Sequence, residues 1–366
     1  MKDKQTEKIL ENVKQKIAIS NFEEEERLDM KNTRKSVFKI GIAACCVLVS
    51  MTGIVFAKDI GNFVKNLFGK NTSDGVDTAV NEGYVANVNT EYQKAEGIEI
   101  NVESLIMDDF NFAMNFDVRL SEGYYIDEFE RVELSDLIIT DETGKIVFNT
   151  KDSMTEIEGG YAGAYSMLST KKSDNEFTIS LSATGNTEAF PKSKHLTVNF
   201  TKLITSQYVN EQRQDTVYEG DWSFEVDVPE EFYNRESAIY KVKSCNVEGI
   251  DINQVTAVVS NTAFKLSIPE ISTDKIDYVL LKADTVGSIY DRRALQKEYV
   301  ETEDGKRFEI AARSDGDGGY SVPEEGNKIT NYHQTFNLTK YNATDKITVH
   351  MFTNKGEEII IVLEKM

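Results

Sequence analysis

The chain has 366 residues, 40% of them hydrophobic and 10% aromatic, with only 4 Pro. That is enough for two or three domains with real cores, and it excludes wholesale disorder. The formal net charge of -21 makes a surface that repels nucleic acid and anionic wall polymers, so no direct nucleic-acid partner is expected. The charge is one-sided. Residues 1–36 hold nine Lys/Arg and eight Asp/Glu, and the remainder holds 32 and 54.

In chain order, Lys4 to Ser20 reads as a helix. Ile9, Val13 and Ile17 recur every four residues with Leu10 beside them, a narrow apolar stripe on a charged rod. An isolated helix of this length is marginal in water, so the stripe points to a partner groove, with Ile9, Leu10, Val13 and Ile17 as the contact face. The bland alternative is a solvated tail. The mixed charges speak against the membrane surface, which selects a basic face.

Ile40 to Ala57 follows without a single charge. Eighteen residues at about 1.5 Å each span roughly the hydrocarbon thickness. Lys31, Arg34, Lys35 and Lys39 precede it and Lys58 alone follows closely, which orients the N-terminus to the cytoplasm and the bulk outside the cell. Val55-Phe56-Ala57 also fits a signal-peptidase site behind an unusually long leader. Ile42-Ala43-Ala44-Cys45 has the look of a lipoprotein box, but apolar residues continue well past Cys45. Cys45 and Cys46 are neighbours inside this run and Cys245 stands alone, so folding outside the span rests on core packing rather than disulfides.

Beyond the span, Ile60, Phe63, Val64, Leu67 and Phe68 fall on one helical face, and a second short helix is expected from Gly75 to Val88. The period then changes to two. Ile98–Val102, Phe112–Val118, Leu134–Thr140, Lys145–Asn149, Phe177–Leu181, Leu196–Phe200 and Trp222–Val228 read as strands. A turn joins the first two near Met107-Asp108-Asp109, and a hairpin turn lies at Asp141 to Gly144. The polar stretch Pro229 to Ala238 reads as a boundary. After it come candidate strands at Thr256–Ser260, Ala263–Ile268, Asp277–Lys282, Arg307–Ala312, Gln334–Leu338, Lys346–Phe352 and Glu358–Leu363. The expected fold is mainly β: a cytoplasmic arm over 1–36, a transmembrane helix over 37–58, and two β-sandwich-like ectodomains over 59–230 and 231–366, with a short membrane-proximal helical segment.

KDIGNFVKNLFG, GVDTAVNEGYVANVN and GIEINVESLIMDDFNFAMNFDV, within Lys39 to Val118, resemble the membrane-proximal part of the family called domain of unknown function 4179, found in Gram-positive bacteria. IMDDFNF is the most specific piece. The stretch from about Glu231 is similar, more loosely, to a C-terminal β domain that often accompanies it. The resemblance implies a transmembrane anti-sigma factor: a signalling regulator of transcription whose cytoplasmic arm binds an extracytoplasmic-function sigma factor, under control of the extracellular β domains. It supplies no catalytic residues. The arm lacks His and Cys, so the zinc-binding pattern of paired Cys and His found in some anti-sigma factors is missing.

Chemistry-bearing motifs are scarce. His195, His333 and His350 are too far apart in sequence for a metal-ligand motif, and no G-x-S-x-G, H-E-x-x-H or P-loop occurs. Asp315-Gly316-Asp317-Gly318-Gly319 begins like a calcium loop, but Gly319 and Gly326 stand where oxygen ligands are required. Cys245 reads as a half-buried core thiol. Tyr124, Tyr125, Tyr161 and Tyr165 sit in glycine-containing segments and either stack on sugars or peptides or cover a core edge. No enzyme, cofactor or metal is expected. The alternative to a signalling regulator is a membrane-anchored surface binding module for a cell-wall component or a protein partner, with a passive arm.

Overall fold

A computed structural model describes residues 72–121, 131–150, 161–185, 189–209, 212–272, 298–311, 318–321, 328–352 and 357–366. The arm contacts Ile9, Leu10, Val13 and Ile17, the apolar segment 40–57 and the expected helix around Ile60 to Phe68 lie outside the described residues. Among the described residues, no helix is long and apolar enough to cross a membrane. What is described is mainly β, with two short helices and twenty strands.

The first β module opens with α1 (Asp74–Asn81). Ser73 caps it, its hydroxyl accepting from the Val76 N–H, and Asp74 and Asp77 lie in the first turn where the helix dipole favours acid. The expected helix ran on to Val88, but the chain turns at Gly83, whose φ of 91° suits glycine. The residues that follow join a sheet instead. Strands β1 (Ala86–Asn87), β2 (Gln93–Ala95), β3 (Ile98–Met107), β4 (Asn111–Leu120), β5 (Arg131–Ser135), β6 (Ile138–Asp141), β7 (Ile146–Asn149), β8 (Ala162–Ser173), β9 (Glu176–Gly185), β10 (His195–Val209) and β11 (Gln212–Asp227) complete the module. One sheet runs β1-β3-β4-β9-β8, with β2 also on β3. The other runs β11-β10-β6-β7, with β5 also on β10.

Period two drives the packing. Phe112, Met114, Phe116 and Val118 from β4 meet Leu196, Val198 and Phe200 from β10 in one buried core. The Phe116 and Phe200 rings cross edge to face at 6.0 Å, and Trp222 stacks on Phe200 at 5.3 Å. The expected single strand Leu134–Thr140 is broken in two. Asp136 adopts a left-handed φ of 55°, and its carboxylate takes the Thr201 hydroxyl and the Lys202 ammonium beside the bulge in β10. The hairpin at Asp141 forms as expected. The Asp141 carboxylate accepts from the Thr143 and Lys145 N–H groups, and Gly144 takes φ 82°. Tyr165 lies in β8 rather than in a loop, its ring edge-on to Phe148 at 5.1 Å. Tyr161 carries the Lys145 ammonium over its ring.

The opposite face of the first sheet is polar yet buried. Asn101, Ser104, Asn115, Asp117, Thr178, Ser180, Ser182 and Thr184 are all at most 7% exposed. Around Asp117 the charges are matched by Lys172, Arg119 and the Tyr92 hydroxyl. Elsewhere on this face the side-chain oxygens of Asn101, Asn115, Thr178 and Thr184 find no hydrogen-bond partner.

A short helix, α2 (Glu230–Tyr233), leads to the second module. Its strands are β12 (Ala238–Cys245), β13 (Thr256–Val259), β14 (Phe264–Ser272), β15 (Tyr299–Thr302), β16 (Arg307–Glu309), β17 (Gly318–Ser321), β18 (Lys328–Phe336), β19 (Lys346–Phe352) and β20 (Glu358–Lys365). The expected strand Asp277–Lys282 lies outside the described residues. These nine strands form one antiparallel sheet in the order β16-β15-β19-β20-β12-β13-β14-β18-β17. The sheet curls until β16, at one end, reaches the C-terminal end of β18, next to last at the other. Ile310, just past β16, bridges to Phe336 in β18, and the Ala311 N–H donates to Thr335 while the Asn337 N–H donates to Glu309. Among the described residues, one continuous sheet thus lines a second core around Phe264, Leu266, Phe336, Val349 and Ile361. The two cores change over between Phe232, which belongs to the first, and Tyr240, which belongs to the second.

Candidate functional site at the junction of the two β modules

The β3–β4 turn places two adjacent carboxylates, Asp108 and Asp109, at the end of the first module. Asp108 is fully buried. Its Oδ1 accepts from the Phe110 and Asn111 N–H groups at 2.8 and 2.9 Å and closes the turn. Its Oδ2 reaches into the second module and accepts from the Thr262 N–H at 2.8 Å and from the Ser260 and Thr262 hydroxyls at 2.6 Å each. Asn111 adds a bond from its amide to the Thr262 hydroxyl oxygen at 2.7 Å. One carboxylate thus carries five donors, three of them from the turn between β13 and β14. Burial of a charge is tolerable on such terms.

Asp109 holds the linker. Its Oδ1 takes the Arg235 Nε–H at 2.8 Å, and its other oxygen takes the Ser237 hydroxyl. The Arg235 side chain is 2% exposed. The rest of its guanidinium donates to the carbonyls of Phe190, Pro191 and Phe232. Its planar fork suits a site where several acceptors converge, which an ammonium could not match.

Helix α1 packs against the same place. The Gly75 N–H donates to Asn337 Oδ1 at 3.3 Å, and a Cβ at Gly75 would collide with the Thr262 carbonyl, so only glycine lets the helix come this close. Tyr84, just after the helix, donates to the Met107 carbonyl at 2.7 Å and packs on Phe232. Burial and the nearby Asp108 push its phenol far above the usual range. Lys340 lies with its ammonium over the Tyr84 and Tyr341 rings, and burial pulls its pKa down. A cleft of about 530 Å³ opens beside the first turn of α1, with Asp74 and Thr78 on one wall and Arg307, Glu309 and Asn337 on the other. Three parts of the chain meet at this junction: both β modules and the helix through which the chain enters from residue 72.

The residues singled out in the sequence are not brought together. His195, at the start of β10, lies between Glu225 and Asp227, and hydrogen bonds to those carboxylates, Glu225 first, raise its pKa. His350, on β19, stacks on Tyr299 at 4.3 Å and bonds Glu358. His333 lies in β18 and pairs with Ser267. Cys245 ends β12 half-buried, its thiol pushed up by burial. Asp315, Asp317, Tyr124 and Tyr125 lie outside the described residues. Among the described residues, no three His, Cys, Asp or Glu gather as a metal site. Sequence reasoning found the Asp108 turn but not its role. The signal was present in a pair of acids inside an apolar hairpin, where one acid would serve the turn and the second needs a partner. Arg235 was hidden in a stretch read only as polar boundary.

No family model matches the chain, and no curated protein matches it. A solved structure described as the conserved domain protein from Bacillus anthracis is similar over 86% of this chain and 98% of its own, at 14% identity and a TM-score of 0.39, a likeness too slight to bear on fold or function.

Proposed function

We propose that the protein is a single-pass transmembrane signalling regulator of the anti-sigma type. In this reading, residues 40–57 anchor it in the cell membrane, and the two β-sandwich-like domains stand outside. The cytoplasmic arm sequesters a sigma factor through Ile9, Leu10, Val13 and Ile17. The observation that supports it is the junction. A ligand or strain that alters the contact between the modules acts directly on α1, because Gly75 touches both Thr262 and Asn337, and α1 is continuous with the chain leading back to the uncharged segment. To matter, the signal must change the arm's affinity by a few kcal/mol.

The test is capture of the full-length protein from membranes of its own cells. An extracytoplasmic-function sigma factor is expected to come down with it, and to be lost when Ile9 and Val13 are both changed to Asp. Recovery of no sigma factor even at high expression removes the proposal. The cleft beside α1 favours a second reading, in which the exterior is a surface binding module and the arm is passive. Deleting residues 2–30 then leaves the phenotype intact, whereas in the first reading it switches a regulon on.

A further inference from the structure

Among the described residues, the long hairpin of β10 and β11 runs on past Ser206, the last residue of β10 that pairs with β5. Residues Gln212 to Val217 are exposed on both faces, and Val217 is 48% exposed. β11 is the edge of its sheet, and among the described residues no strand lies beyond it. Near its C-terminal end the edge is plugged. The Gln93 side-chain amide accepts from the Ser223 N–H and donates to the Ser223 carbonyl, as a neighbouring strand would. From Gln212 to Glu219 no described strand does the same. This stretch, QRQDTVYE, contains no Pro, and its ladder with β10 is regular from Val209/Gln212 to Lys202/Glu219. A regular edge with no described strand upon it is a template for another strand.

The charges on that edge decide which strand fits. Two antiparallel copies related by a two-fold axis set one residue opposite its own copy. With Gln214 on the axis, Arg213 faces Asp215, but the described ladder spans only Gln212 to Thr216 at the hairpin tip. With Asp215 on the axis, two carboxylates face each other. With Val217 on the axis, Asp215 faces Glu219. With Thr216 on the axis, Arg213 faces Glu219 twice, Gln214 faces Tyr218 and Asp215 faces Val217, so no like charges oppose and two opposite pairs form. Arg213 already holds Asp215 of its own strand at 2.7 Å. We infer that β11 is a self-association edge: two copies of this chain pair antiparallel through residues 213–219, with Thr216 on the two-fold axis. A ladder this short makes a transient dimer in dilute solution.

Disulfide trapping tests it on the full-length protein, with Cys45 and Cys46 changed to Ala and Cys245 to Ser. In that background, Thr216→Cys is expected to give a covalent homodimer under mild oxidation, and Gln214→Cys is not, because its copies lie two pairs away on either side of the axis. Adding Glu219→Arg to Thr216→Cys abolishes the dimer, and adding Arg213→Glu as well restores it. All four positions are exposed, and thermal melting verifies that each variant is folded. The inference is overturned if Thr216→Cys gives no dimer, if Gln214→Cys gives as much, if the charge reversal leaves the yield unchanged, or if the trapped partner is a different protein.

Discussion

Two buried polar regions, one at the β3–β4 turn and one on the outer face of the first sheet, differ in how they are satisfied. At the junction, Asp108 accepts five hydrogen bonds, and Thr262 both donates to it and accepts from Asn111. On the outer face of the first sheet, Thr178 is just as buried, at 2% exposure, and its hydroxyl has no partner. Burial is common to both, and only one set of donors and acceptors is complete. The first arrangement holds a single geometry. The second carries a desolvation cost with nothing in return.

The sharpest way to break this contrast is Asp108→Ala. It removes the shared acceptor of three N–H groups and two hydroxyls, of which the Thr262 N–H and the Ser260 hydroxyl have a second acceptor, and a loss of about 3 kcal/mol is expected, read as a lower denaturation midpoint of the purified protein. Thr262→Val keeps the shape, removes one donor and one acceptor, and is expected to cost about 2 kcal/mol. Thr178→Val makes the same change on the other face with the opposite sign. It removes an unmet hydroxyl and is expected to raise stability by up to about 1 kcal/mol. Equal effects at Thr262 and Thr178 would dissolve the distinction. Gly75→Ala forces α1 away from the Thr262 carbonyl, and faster proteolysis near residue 72 reports it, with a cost of about 1 kcal/mol or more.

The smallest effect concerns an exposed group outside both regions. The Glu225 and Asp227 carboxylates raise the His195 pKa, so the charged ring is favoured in the folded state. The sign follows: its contribution is complete below the unfolded value near 6.5 and fades as pH rises through the higher folded value. NMR titration of the ring is expected to show a midpoint above 6.5 that falls on Glu225→Gln. An unshifted midpoint contradicts the contact.

The strands with clean alternation were legible in the sequence because one face of each meets a core. β4, β19, β20 and the C-terminal part of β11, with Trp222, Phe224 and Val226, carry an apolar residue at every second position. β8 was not, since AGAYSMLSTKKS offers the core little beyond Met167, and Tyr165 stays exposed. It is a strand because β9 beside it supplies the ladder. β12 was also missed. Ile239, its most conspicuous apolar residue, points outward at 55% exposure, and Tyr240 fills the core. The junction lay beyond reach for a different reason. Asp108 and Thr262 are 154 residues apart, and no periodicity along the chain encodes a bond between them.

The place of β20 in its sheet has a consequence for assembly. It lies between β19 and β12, and Lys243 on β12 meets Glu364 on β20 across 121 residues of chain. During synthesis, β12 therefore keeps one flank bare until Glu358–Lys365 arrives, while its other flank is served at once by β13. Loop closure over such a distance is slow. The second module is accordingly expected to close later than the first, and a clip between β14 and β19 before that point would keep β20 from reaching β12.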